Sequence, residues 1–123
     1  MAVNLLALVS RHNHWLTVRQ SLVASNIANA NAPGYKAQDV QPFEKLLDSA
    51  ALQLAVTNPA HLSDPSTEAG AEVVDGQSWE TLHSGNNVSL EQELIKASEV
   101  SNAFRLNTSV AKAFHSMLMA SLK

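Results

Sequence analysis

The side chains that could carry chemistry in this 123-residue chain are five histidines, 11 carboxylates and eight lysines and arginines; there is no cysteine. Thiol catalysis, disulfides and cysteine-bound zinc are thereby excluded. His12 and His14 stand two residues apart, about 200° around a helix, so they cannot share a metal as an i,i+4 pair would. His61, His83 and His115 have no Ser or carboxylate spacing that suggests a triad. A helical hydrolase using His61 or His83 therefore rests on unplaced histidines alone, and replacing both would test it. Four glycines form neither GxGxxG nor GxxxxGK[ST], so no phosphate cradle is encoded. Few aromatics and a net charge of −3 argue against nucleic-acid binding. Asn87-Val88-Ser89 and Asn107-Thr108-Ser109 match the N-glycosylation pattern at a helix cap and inside a helical stretch, which reads as chance. The residues thus predict no enzyme, no metal, no cofactor and no small-molecule substrate.

The elements that would position these side chains are helical. Residues 4–32 lack Gly and Pro, and Leu8/Val9, Trp15/Leu16 and Leu22/Val23 recur every seven residues, flanked by Leu5, Ile27 and Ala30. That predicts a helix with one apolar stripe, in the period of helices winding around helices, with His12 and Arg19 interrupting the seam. Ala32-Pro33-Gly34-Tyr35 ends it: Pro33 disfavours helical geometry at Ala32, and Gly34 can take the positive φ of a type II turn.

A second long helix is predicted over 90–122, with Ser89 as N-cap and Gln92 as its capping-box partner. Glu91 and Glu93 suit the first turn, and Lys123 suits the end. Alternate steps of four and three run from Leu90 and Leu94 through Phe104 and Ala111 to Leu118 and Leu122. A neighbouring row of Val100, Ala103, Val110, Phe114 and Met117 widens the stripe, so more than one helix should pack on it. Between the two, Phe43, Leu46, Leu47 and Ala50 behind Pro42 predict a short helix over 42–54. From Asn58 to Asn87 polar residues, two prolines and three glycines predict a mobile loop, apart from a short strand at Glu72-Val73-Val74.

The predicted fold is all-α: long N- and C-terminal helices in an antiparallel, coiled-coil-like hairpin, with a short helix and a mostly irregular middle. It divides into 1–35 (N-terminal helix and turn), 36–88 (short helix and flexible middle) and 89–123 (C-terminal helix). A 29-residue helix is about 43 Å long, against roughly 35 Å for the diameter of a compact globule of this size. An elongated hairpin with an exposed apolar stripe is a poor monomer and a good building block.

Charge follows the same division. Residues 1–38 hold three bases and no acid, 39–93 hold ten acids and Lys45, and 94–123 hold four bases and Glu99. Such a chain could pair with copies of itself, or the acidic middle could simply be solvated. No apolar run reaches the roughly 20 residues needed to span a bilayer. Met1 to Val9 lacks a basic cluster and an A-x-A site, so no secretory signal peptide is expected. The heptad pairs also run on without interruption, against a cleaved transit peptide.

One stretch is more specific. Ser25-Asn26-Ile27-Ala28-Asn29-Ala30-Asn31-Ala32-Pro33-Gly34-Tyr35-Lys36-Ala37 resembles the N-terminal signature of flagellar rod and hook proteins, a helix ending in N-I-A-N-x-x-T-P-G-Y-K/R. Gly85-Asn86-Asn87-Val88-Ser89-Leu90-Glu91-Gln92-Glu93 is similar to the G-N-x-V-x-L-E-x-E segment that opens that family's C-terminal helix. Leu54 to Leu62, with Thr57, Pro59 and His61, is similar to the corresponding segment of proximal rod members. The short middle fits those members too, since hook and distal rod proteins carry large inserted β-domains. The resemblance covers about two-thirds of the chain. It departs at Ala32, where the family usually has Thr, and at Gln41-Pro42-Phe43, where an acid more often precedes the aromatic.

The resemblance to the flagellar basal-body rod protein family implies a structural subunit of the proximal rod, exported unfolded through the flagellar type III apparatus to a periplasmic helical array. The implied partners are other copies of itself, other rod subunits and the rod–membrane-ring junction protein. The residues expected to form the turn and assembly motif are Asn26, Asn29, Pro33, Gly34 and Tyr35. From residue type alone, Asn26, Asn29 and Asn31 suit either helix capping or amide bonds to neighbouring chains. Leu8, Trp15, Leu22, Phe104, Ala111, Phe114 and Leu118 are expected to pack helices, in the chain's own core or against neighbours. The alternative is a small soluble helical adaptor, a monomer that binds one amphipathic partner helix through its Phe104 face.

Overall fold

The computed structural model describes residues 5–53, 72–79 and 81–122 of the chain. In chain order these form α1 (Leu5–Ala28), β1 (Gln38–Val40), α2 (Phe43–Gln53), β2 (Val73–Asp75) and α3 (Leu90–Ser121). His12 meets Asn107 and Arg19 meets Glu99, so α1 and α3 run antiparallel as the two long arms of a hairpin. Their 24 and 32 residues correspond to about 36 and 48 Å. No helix among the described residues is long and apolar enough to cross a membrane.

The first helix stops at Ala28, four residues before its expected end. Asn29 and Ala30 close the last turn onto Ser25 O and Ile27 O, and Ala32 N then bonds Asn29 O in a separate turn. Asparagine competes for backbone partners here, and the last turn tightens to i→i+3 as helix ends commonly do. At the Pro33-Gly34 turn, Tyr35 N bonds Ala32 O at 3.3 Å and Gly34 takes φ +73°, the left-handed value a type II turn needs.

The two-stranded sheet adds a small β element to the helical frame. β1 and β2 are antiparallel, with Gln38 opposite Asp75, Asp39 opposite Val74 and Val40 opposite Val73. Bonds from Gly76 N to Ala37 O and from Gln41 N to Glu72 O bracket the pair. β2 falls where the valines predicted it. β1 carries no alternating pattern and is a strand because of what flanks it.

The part of the expected 58–87 loop that follows the strand, from 75 to 87, is tied down wherever it is described. Gly34 N bonds Ser84 O at 2.9 Å, Asn87 N bonds Tyr35 O at 3.2 Å, and Leu82 and Asn86 close a turn that places Gly85 at φ +81°. Its polar residues act as hydrogen-bond partners for the corner rather than as solvated linker. Residues 58–71 of that expected loop, His61 included, and the rest of the Leu54–Leu62 segment lie outside the described residues. So does Lys123.

The start of α3 realises half of the expected capping box. Gln92 N donates to the Ser89 hydroxyl at 3.4 Å, but the Gln92 amide does not return to the cap. It donates to Gln77 O at 2.6 Å and accepts from Trp79 N at 3.3 Å, fastening the loop to the helix. The α3 face turned to α1 follows Val100, Asn107 and half-buried Val110 and Phe114, and at its start carries Glu93 and Lys96. Leu90 and Leu94, on the other expected row, stay exposed. The apolar core is small: Leu16, Val23 and Val100 between the long helices, and Ala37, Val40 and Val88 beside the sheet.

Candidate functional site

Where α1 ends, β1 begins and α3 starts, two buried asparagines organise the backbone. Asn26 is 0% exposed. Its Nδ2 donates to Gln38 O at 2.8 Å and its Oδ1 accepts from Gln38 N at 3.0 Å. The amide thus pairs with the edge of β1 that faces away from β2, as a third strand would. Tyr35 Oη donates to the same Oδ1 at 3.3 Å and lies 3.4 Å from the Ser25 hydroxyl. Asn29 Nδ2 folds back onto Ser25 O at 2.8 Å.

Asn86 is 1% exposed and serves the other side of the corner. Its Nδ2 donates to Asn29 O and Ala32 O at 2.9 and 2.7 Å, and its Oδ1 accepts from Val88 N at 2.8 Å. The contact at position 32 is thus made by a backbone carbonyl, which Ala supplies as well as Thr would. Asn87 Oδ1 accepts from Ala37 N at 2.6 Å, and Lys36 Nζ donates to Gly85 O at 2.8 Å. Sequence reasoning singled out the 85–93 segment but gave Asn86 and Asn87 no role. The signal was present in two adjacent amides next to Gly85, a pattern suited to recapturing free backbone groups.

Along the seam, charge replaces much of the grease. Asp39 of β1 accepts from Arg19 Nε of α1 and Lys96 Nζ of α3, both at 3.3 Å. Arg19 reaches on to Glu99 at 3.2 Å, and Lys96 to Glu93 at 3.4 Å. Glu93 is 1% exposed, and its second oxygen, Oε2, has no hydrogen-bond partner among the described residues. Arg19 also lies 5.5 Å from the centre of the Trp15 ring, within cation–π range. Trp15 Nε1 donates to Gln41 O at 2.7 Å. Phe43 at the start of α2 packs on His12 and Trp15 with ring centres 4.7 and 6.0 Å away. An open groove of about 380 Å³ runs beside this cluster, between Trp15, Phe43 and Glu44. Among the described residues no group of His, Asp and Glu is arranged to hold a metal ion.

Of the residues expected to pack helices, Leu8, Trp15, Leu22, Phe104, Ala111 and Phe114 are half-buried and Leu118 is exposed. Exposed large apolar side chains are most numerous towards the two ends of α3, with Leu106 exposed between them and Leu6, Ile27 and Val73 on other elements. Trp79, Leu82, Leu90 and Leu94 lie at its start, and Met117, Leu118, Met119 and Leu122 at its finish. With His12 level with Asn107, Phe114 is level with Leu5, so the eight residues 115–122 extend about 12 Å past the described part of α1.

The corner is also where the model of a known family falls. The family described as flagella basal body rod protein matches residues 16–36, from Leu16 in the buried core of α1 through Asn26 and Tyr35 to Lys36. A flagellar basal body rod protein FlgB from Agrobacterium fabrum is 40% identical over 126 residues, covering 98% of this chain and 94% of its own length. The chain belongs to the FlgB family of flagellar basal body rod proteins. Family members from Bacillus subtilis and Aeromonas hydrophila are 30% and 34% identical over 84 and 89 residues. Both matches span 67% of this chain, and 64% and 67% of the relatives. As a FlgB-family chain it is a structural subunit of the flagellar proximal rod, located in the basal body, and not an enzyme. It associates with other rod components, and its described groups suit that work, since they position backbone and helices.

Proposed function

We propose that the subunit assembles helically through its terminal helices, burying the apolar ends of α3 against neighbours and passing torque through those contacts. The observation that carries this reading is the exposure of Leu90 and Leu94 at one end of the helix, and of Met117, Leu118, Met119 and Leu122 at the other. Two different patches on one subunit suit a heterologous contact, which repeats without closing into a small ring. Charge supports the same arrangement. Beyond Glu99, α3 carries Arg105 and Lys112 and no acid, whereas Glu91, Asp75 and Glu72 lie towards its start. In this reading the neighbours are other copies of the chain, other rod subunits and the junction protein at the membrane ring. The chain reaches the periplasm unfolded through the type III export apparatus. Pro33, Gly34 and Tyr35 set the corner, and Phe104 and Phe114 stand among the helix contacts.

The test is complementation of a deletion strain, with hook–basal bodies purified and examined by mass spectrometry. Phe104→Asp and Leu118→Asp chains, secreted at normal levels, are expected to be missing from the rods and to leave cells non-motile. Normal motility with either would refute the packing assignment. A stable wild-type monomer that binds one partner helix and is absent from basal bodies would favour an adaptor instead.

A further inference from the structure

Asn107 lies buried on the α3 face turned to α1, one heptad from apolar Val100 on one side and Phe114 on the other. Its Nδ2 is 2.7 Å from His12 Nδ1 and 2.9 Å from Asn13 Oδ1. With the imidazole proton on Nε2, both are acceptors, and the two amide hydrogens satisfy both. The His12 ring is held independently of α3: it stacks on Trp15 at 5.8 Å and tilts against Phe43 at 4.7 Å. α1 therefore presents two acceptors at one level, that of His12 held in place by its ring contacts, and in the native register α3 answers with the Asn107 amide.

Sliding α3 by a heptad brings Val100 or Phe114 to that level, neither with a donor, and moves Asn107 opposite Leu5 or Arg19. The same slide separates Arg19 from Glu99 and Lys96 from Asp39. Aliphatic contacts discriminate weakly between such registers, because one Leu or Val substitutes for another at small cost. Buried polar groups discriminate strongly, because the wrong register leaves them desolvated and unpaired. We infer that Asn107, with His12 and Asn13, is the specificity determinant of helix pairing. It makes α1 accept the α3 of its own chain in one register and reject a slipped or exchanged helix. In a lattice that crowds many apolar helices together, this keeps each hairpin closed on itself while the outer apolar patches remain free to join. Because the determinant lies within the hairpin, the inference stands or falls separately from the assembly reading.

The chain has no cysteine, so an introduced pair reports register without background. Leu8 and Ala111 each lie four residues beyond the polar layer on facing helices. In the full-length chain a Leu8→Cys/Ala111→Cys pair should oxidise within one molecule, while Leu8→Cys/Phe104→Cys and Leu8→Cys/Leu118→Cys, one heptad out, should form at least tenfold less. Adding Asn107→Leu should preserve helicity and thermal midpoint, yet raise the slipped and intermolecular disulfides to the level of the native one. Asn107→Ala, which adds no bulk, should do the same. Retention of the native pair alone in both variants would overturn the inference. So would loss of helicity in both, which would make the layer a support of the fold rather than a selector of register. Slipped pairs in the chain with Asn107 intact would overturn it as well.

Discussion

Asn26→Asp exchanges one amide for an isosteric carboxylate at the centre of the corner, and its effect can be worked out atom by atom. Oδ1 still accepts from Gln38 N and Tyr35 Oη, so that half of the site survives. The other half reverses: a carboxylate oxygen now faces Gln38 O, 2.8 Å away in the native contact, with no proton between two acceptors. The group is 0% exposed, so its charge is also stripped of water. An uncompensated buried charge costs about 3–5 kcal/mol. Asn26→Ala, which leaves Gln38 N and O unpaired without adding charge, should cost about 2–3 kcal/mol at roughly 1–1.5 per orphaned group. At this chain length each kcal/mol moves the thermal midpoint by about 3–5 °C, so both losses are measurable by circular dichroism.

The decisive assay is pH. Burial and the facing carbonyl raise the folded-state pKa of a carboxyl at position 26 above its unfolded value. The variant's penalty is therefore full at neutral pH and lifts as pH falls through the raised pKa, because the protonated acid can again donate to Gln38 O. The gap between Asn26→Asp and the native chain should narrow on acidification, while the gap for Asn26→Ala stays flat. A pH-independent Asp variant, or an Ala variant as stable as the native chain, would refute the strand-like role of the amide.

Two further substitutions separate other causes. Gly34→Ala meets nothing within 4 Å but inherits φ +73°, so its cost should be backbone strain alone, about 1–2 kcal/mol; a loss above about 3 kcal/mol in urea unfolding would mean that the site also packs. Lys96→Met should cost about 2–4 kcal/mol by leaving Glu93 and Asp39 without their shared cation, whereas Glu93→Gln should be neutral or slightly stabilising, since it discharges a carboxylate with an unpartnered oxygen. Equal losses from both would contradict the charge assignment in the seam.

The helices were legible in the sequence because their signals are local: heptad pairs in α1, Ser89 before Leu90 in α3, Pro33-Gly34 at the turn. β1 was not legible, because Gln38-Asp39-Val40 becomes a strand through Asn26 on one side and β2 on the other. Glu93 reads in the sequence only as an acid suited to the first helical turn, and nothing there singles out Lys96. Their burial depends on Asp39, more than fifty residues away in the chain, and no periodicity reports such a partner. Asn107 matched a glycosylation pattern although its amide is spent on His12 and Asn13. The polar loop before α3 suggested mobility because composition records the supply of donors and acceptors, not whether each finds a mate.

The Asn86 amide grips carbonyls 57 and 54 residues away in the chain. Together with the Asn87–Ala37, Lys36–Gly85 and Gly34–Ser84 bonds it joins the finish of α1 to the start of α3 by short links that bypass the intervening sequence. Several such links, loaded side by side, share a shearing force, whereas a single loop would peel open one bond at a time. Twist applied to either long helix is therefore delivered to the other at the corner as well as along the seam, and the hairpin turns as one stiff unit.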